Sequence, residues 1–233
     1  MDELFIGIDL AWGEKNSSGF CVLEFKENKL QIVELKLLDS LEDILKAIQK
    51  YSARKISIGV DAPLIINNES GNREIEKEFN KDFAKYKISM LPVNRTILQK
   101  YSPNLRSEEL YQKLTDLGFQ RDTNANRVLF EVYPHSTIAV AFYEYKILPY
   151  KRKKGRSVVF IREQLGIYKE YISSALSLNG FLEEDILSLK GKALKEYEDK
   201  LDAITAAYTY YYCQNNASKF YKLNGVETFL TPI

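Results

Sequence analysis

Two aspartates close apolar runs of the same kind. Asp9 ends Phe5-Ile6-Gly7-Ile8-Asp9 and Asp61 ends Ile56-Ser57-Ile58-Gly59-Val60-Asp61, each with a glycine two residues before the acid. A lone carboxylate in an apolar strand costs several kcal/mol unless its charge is compensated. Two of them at neighbouring strand ends, about 5 Å apart, would repel each other and raise one pKa. A hard divalent cation with oxygen ligands removes both conflicts. The plainer reading, an acid bonding to turn amides at a strand end, needs no ligand but does not explain the repetition.

A third acidic cluster lies in Tyr197-Glu198-Asp199-Lys200-Leu201-Asp202-Ala203-Ile204-Thr205-Ala206-Ala207. Asp199 and Asp202, three apart, share one helix face. Ala203, Ala206 and Ala207 let that helix approach a sheet closely, with Asp202 at the start of the packed face. Asp199 reads equally as a ligand or as a solvated acid. Glu131, in Val128-Leu129-Phe130-Glu131-Val132-Tyr133-Pro134, reads either as a further ligand or as the partner of an arginine such as Arg73 or Arg127.

The remaining chemistry is sparse. His135 is the only histidine, which excludes a multi-histidine metal site, and beside a helix start it reads as structural. Lys151-Arg152-Lys153-Lys154-Gly155-Arg156 packs five cations into six residues. It reads as a solvated loop or as the one phosphate-seeking surface of a chain whose formal net charge is +1. The sixteen tyrosines could stack bases, although most are expected in the core. Cys21 and Cys213 cannot build a disulfide framework or a four-cysteine zinc site. Few cysteines, no apolar run near the roughly 20 residues of a membrane span, and a start (Met1-Asp2-Glu3-Leu4) without a leader signature predict a cytoplasmic protein away from membranes.

The elements that must hold these residues follow from periodicity. Alternation predicts strands over Leu4 to Leu10, Gly19 to Phe25 and Leu30 to Leu37, joined by short turns as an antiparallel meander. Ser40 caps a helix carrying Leu41, Ile44, Leu45 and Ile48, and Lys55 to Val60 is the next strand. A polar region follows, with helices near Arg73 to Lys85, around Ile97 and over Ser107 to Leu117. Then come a strand over Arg127 to Tyr133 and helices over Ser136 to Tyr143, Val158 to Leu178 and Lys192 to Asn215. Asn224-Gly225 marks a closing hairpin between Phe220 to Leu223 and Val226 to Leu230. At 233 residues, 45% hydrophobic and 28% charged, this reads as a single α/β domain over residues 1–233.

Together these residues resemble the RNase H-like superfamily, whose sheet begins with three antiparallel strands. Its acids come from the first strand, the fourth strand and the last helix, where Asp9, Asp61 and Asp202 fall. Asp199-Lys200-Leu201-Asp202-Ala203 is similar to the acid pair of the Holliday-junction resolvase branch. More closely, the chain resembles the prokaryotic domain-of-unknown-function 429 family, predicted to be RNase H-fold nucleases. The matching stretches are Gly7-Ile8-Asp9, Val60-Asp61-Ala62-Pro63-Leu64, Arg73 with the acids after it, and Glu131-Val132-Tyr133-Pro134. The lysine–arginine loop, Leu201-Asp202-Ala203-Ile204 and Phe229-Leu230-Thr231-Pro232 complete them.

The resemblance implies a mixed five-stranded sheet, three antiparallel strands then parallel ones, flanked by helices and interrupted after the fourth strand by a helical insertion over about 65–125. It implies a nuclease using two Mg2+ or Mn2+ ions. Asp9 would bridge them, Asp61 and Asp202 would hold one each, and Glu131 or Asp199 would complete the shell. Lys151, Lys153, Lys154 and Arg156, with Arg73, would bind the nucleic acid. The competing expectations are a nucleic-acid-binding or regulatory module without catalysis, and an actin-like ATPase, for which 233 residues without a repeat would require a homodimer.

Overall fold

A computed structural model describes residues 3–233; Met1 and Asp2, part of the start read above, lie outside it, as does the side chain of Glu227. The chain runs β1 (Glu3–Asp9), β2 (Ser18–Lys26), β3 (Lys29–Leu38), α1 (Leu41–Gln49) and β4 (Lys55–Asp61). It continues through α2 (Glu74–Phe83), a 3-10 turn (Ala84–Tyr86), α3 (Arg95–Leu98) and α4 (Arg106–Asp116) to β5 (Arg127–Glu131). Then come α5 (Pro134–Phe142), α6 (Val158–Ala175), α7 (Gly191–Asn215), β6 (Ser218–Leu223) and β7 (Val226–Pro232).

Among the described residues the strands form one mixed sheet of seven, ordered β3-β2-β1-β4-β5-β7-β6, rather than the five expected. β1, β2 and β3 are the antiparallel meander, and β1, β4 and β5 run parallel. The two extra strands are the Asn224-Gly225 hairpin. Its β7 pairs with the outer edge of β5 at Glu131–Phe229, giving partners to backbone groups that a five-stranded sheet would leave open. The long sixth helix also stops at Ala175, short of Leu178. Ser177 leaves the helix to exchange hydrogen bonds with Leu30 and Ile32, covering the opposite edge along β3.

Alternation along β1 and β4 sorts side chains to two cores. Leu4, Ile6, Ile8, Ile56, Ile58 and Val60 join the layer under α1 and α4. Phe5 joins the layer under α6 and α7. By the same two-residue period, Gly7, Asp9, Gly59 and Asp61 face α7. The helix lies so close there that a Cβ on Gly7 would fall 1.9 Å from the Ala203 carbonyl oxygen, and one on Gly59 2.4 Å from that of Ala206. Gly59→Ala should therefore destabilise the fold by about 1 to 3 kcal/mol through overpacking. Urea unfolding tests this; an unchanged midpoint would mean that α7 is not seated on the β4 backbone. Among the described residues no helix is long and apolar enough to cross a membrane.

Candidate acidic site

Glycine seats and an alanine face bring three elements to one end of the sheet. Asp9 and Asp61 are register partners on β1 and β4, at the carboxyl ends of parallel strands. Asp199 and Asp202 descend on them from α7, whose inward surface is Ala203, Ala206 and Ala207. Asp9 and Asp61 keep part of their surface open to a cleft while the rest is walled by protein.

The electrostatics show a surplus of negative charge. Burial, then the Asp202 charge, holds the Asp9 carboxyl well above the usual carboxylate range. Burial lifts Asp61 to about 7, and Lys151 only partly offsets the further push from Asp202 and Glu131. Asp202 is fully buried. Burial pushes its pKa up too, but Lys151, Tyr150 and Lys195 outweigh that and bring it below the ordinary value. Its carboxylate accepts from Tyr150 Oη at 2.7 Å, Tyr168 Oη at 3.2 Å and Lys151 Nζ.

Lys151 belongs to this cluster rather than to the exposed loop expected from sequence. Its ammonium also meets Glu198 at 3.1 Å. Burial alone would lower its pKa, but Asp202, Glu198, Asp9 and Asp61 hold it well above the usual range. Lys195 plays the parallel role from α7 itself, contacting Asp199 and lying 3.1 Å from Glu198. The remaining loop cations divide. Arg156 lines the same cleft as Asp9 and Asp61, and its Nη1 closes the loop by donating to the Lys151 carbonyl at 2.8 Å. Arg152 and Lys153 are exposed on the wall of a cleft of about 650 Å³ that reaches Asp9 and Asp61, while Lys154 stands on the turn away from that wall.

Glu131 and Arg73 meet each other. Arg73 grips both Glu131 carboxylate oxygens, at 2.6 and 3.0 Å, and turns its Nε to Glu76 at 2.8 Å; all three residues are buried. Alternation along β5 turns Glu131 to the opposite sheet face from Asp9 and Asp61, since Phe130 and Val132 pack under α7. Both residues nevertheless line the cleft that reaches Asp9 and Asp61, and the pair holds the turn after Asp61. Glu131 Oε2 accepts from the Leu64 amide at 3.1 Å, and Arg73 Nη1 donates to the Ile65 carbonyl at 3.2 Å. His135 lines the same cleft against Tyr133 and Tyr150, and burial with the Lys151 charge lowers its pKa to about 4, so it is neutral at pH 7.

Among the described residues no three His, Cys, Asp or Glu side chains form a ready metal cage, since Asp202 faces Lys151 and Asp199 faces Lys195. The donors that converge are nevertheless all hard carboxylate oxygens, and Asp9 and Asp61 lack full compensation. That set fits a hard divalent cation. Sequence reasoning did not single out Tyr150, Tyr168, Lys195 or Glu198. Lys195, Glu198, Asp199 and Asp202 stand at helical spacing, so that much was readable; nothing local marked the tyrosines.

The Asp61 shift has a measurable consequence without metal. Between about pH 4 and about 7 the folded chain keeps a proton on Asp61 that the unfolded chain has released. The contribution of this group to stability is therefore greatest below that window, falls as pH rises through it and levels off above. The stability difference between wild type and Asp61→Asn, taken from urea unfolding in EDTA at stepped pH, should decline over that interval. A pH-independent difference would refute the raised pKa.

The site and fold thus define a mixed α/β protein with an acidic centre at the carboxyl ends of its parallel strands, ringed by lysines. The chain matches the family described as protein of unknown function (DUF429) over residues 7–222, and it belongs to that family. A comparison with curated proteins finds no significant match.

Proposed function

We propose that this protein is a divalent-metal-dependent phosphodiesterase of RNase H-like architecture, acting on nucleic acid. The observation that carries the reading is the in-register pair Asp9 and Asp61 under the Asp202 helix, with more negative charge than Lys151 and Lys195 balance at the two strand-end acids. The strand order β3-β2-β1-β4-β5, with acids on β1, β4 and α7, supports the RNase H-like comparison.

Asp9, Asp61 and, with Lys151 moved aside, Asp202 would hold Mg2+ or Mn2+, two ions in the fullest case, with Asp199 as a further donor. Ions bound there supply an activated water and stabilise the leaving oxygen. In the hydrolysis, the oxygen of one water bonds to phosphorus and the P–O bond to one ribose oxygen breaks. One water proton ends on the leaving hydroxyl and the other is released from the new phosphate monoester.

The chain's own groups position this reaction. Arg152 and Lys153 attract the phosphate backbone from the cleft wall, and the Glu131–Arg73 clamp fixes the turn that aims Asp61. Lys151, displaced from Asp202, is within reach of the same phosphate. Neutral His135 and Tyr133 form the uncharged floor.

One observation favours a second reading. Lys151 already pairs with Asp202 and Glu198, as in a nucleic-acid-binding module that needs no metal. Calorimetry with Mn2+, a Mn2+ anomalous-scattering soak and cleavage of labelled RNA, DNA, hybrid and branched substrates separate the two. Mn2+ bound at Asp9 and Asp61 with metal-dependent cleavage supports the enzyme. Absence of both metal binding and cleavage overturns it in favour of the binding module.

A further inference from the structure

A second cleft reaches Asp9 from the other side. It holds about 320 Å³ and is lined by Trp12 and Tyr101 on one wall and by Lys192 and Lys195, each beside its acidic partner Glu196 or Asp199, on the other. It shares Asp9, Leu10 and Trp12 with the larger cleft, so Asp9 lies at a crossing and not at a blind end. Both clefts are sized for small organic groups.

Trp12 is the chain's single tryptophan. It is 38% exposed and stands edge-on to Tyr101, 57% exposed, at a centroid distance of 5.4 Å. The turn after β1 is fastened from below rather than by burial of that ring. Arg106, itself buried, donates to the carbonyls of Gly13 at 2.8 Å, Asn16 at 3.4 Å and Asp39 at 3.1 Å. It is aimed there by Leu105, which enters α4 at a left-handed φ of 47°. That conformation is disfavoured for a residue with a Cβ, so the surrounding contacts must hold it. The turn that carries the open Trp12 ring is thus held beside the acids by a buried cation, with the Tyr101 ring packed edge-on against Trp12. Lys192, 81% exposed, is paired with its helix neighbour Glu196 at 3.4 Å on the same cleft, a solvated contact weak enough for an incoming phosphate to compete for the ammonium.

We propose that the substrate is a flexible single strand of nucleic acid threaded through both clefts. An unpaired base stacks on Trp12 and Tyr101, with backbone phosphates directed to Lys192 on one side and to Arg152 and Lys153 on the other. Stacking on protein rings is open to unpaired bases and closed to a base-paired stack. With chain on both sides of the acids, the bond cut is internal; this part rests on the phosphodiesterase reading above, whereas the path of the strand does not.

Trp12 is its own reporter. Thymidylate oligomers of increasing length are titrated into the full chain in EDTA and again in Ca2+, with tryptophan fluorescence as the signal. Oligomers should quench Trp12 and bind more tightly with length, while a nucleoside monophosphate and a duplex should bind far more weakly. Tyr101→Ala with Lys192→Glu should weaken oligomer binding on the order of tenfold, with the thermal unfolding transition retained. Arg152→Glu with Lys153→Glu should weaken oligomer binding independently. With Mn2+, an end-labelled oligomer should yield internal fragments.

Length-independent quenching, no quenching, or wild-type affinity in the Tyr101→Ala/Lys192→Glu protein overturns the threaded strand. Threading without cleavage upholds the path and removes the phosphodiesterase. Cleavage for which Tyr101 and Lys192 are dispensable does the reverse.

Discussion

Asp202→Asn should lower stability by about 3 kcal/mol, the low end of the roughly 3 to 5 kcal/mol for breaking a buried ion pair from one side. Asp202 is fully buried and receives Tyr150, Tyr168 and Lys151. An asparagine can still accept from Tyr150, but its amide turns a donor toward the Lys151 ammonium or leaves that charge to Glu198 alone. Because the Lys151 side chain retains 34% exposure, water recovers part of the loss, which sets the low end. Asp199→Asn should cost under about 1 kcal/mol, since its partner Lys195 is largely exposed. Adding Lys151→Met to Asp202→Asn should return part of the stability by removing an ammonium that has lost one of its two carboxylate partners, while Lys195 still faces Glu198. Urea unfolding of the four proteins measures all three effects. Equal losses for the two aspartates, or no recovery in the double variant, would show that Asp202 and Lys151 are not a buried pair.

That pair also marks where local sequence stops informing. The Asp9–Asp61 pairing was readable because both strands carry apolar residues on one face and glycine–aspartate on the other, so the period itself set the acids side by side. The α7 approach was readable from Ala203, Ala206 and Ala207. Glu131 was harder, because β5 is apolar on both faces and its alternation carries no polarity to say which side the acid takes. Its partner Arg73 lies 58 residues away, and only the fold brings the guanidinium to it. Lys151 resembled the cations after it, yet it follows fully buried Tyr150, and the strand of loop that buries the ring carries the lysine inward. The Asn224-Gly225 turn announced a hairpin but not the sheet edge it would join, since edge pairing depends on which strand remains uncovered.

Asp9→Asn should change metal-free stability little or raise it, and should abolish the thermal stabilisation by Mn2+. Burial and the Asp202 charge hold the Asp9 carboxyl well above the usual range, so the metal-free protein disfavours its ionised form. An asparagine keeps the shape of the carboxyl without a charge to bury, and it removes the repulsion with Asp61 and Asp202. A cation reverses the order, because it requires the ionised form and stabilises the folded state only where its ligands are intact. Wild type should therefore gain melting temperature with Mn2+, and gain more as pH rises and the acid gives up its proton more easily; Asp9→Asn should gain neither. Metal-dependent cleavage should fall on the order of a hundredfold or more, since a misplaced water at the reacting phosphorus loses that much. Thermal melts of both proteins with EDTA and with saturating Mn2+, at two pH values, measure the reversal. If Mn2+ raises both melting temperatures equally, the ion binds elsewhere and Asp9 is not its ligand.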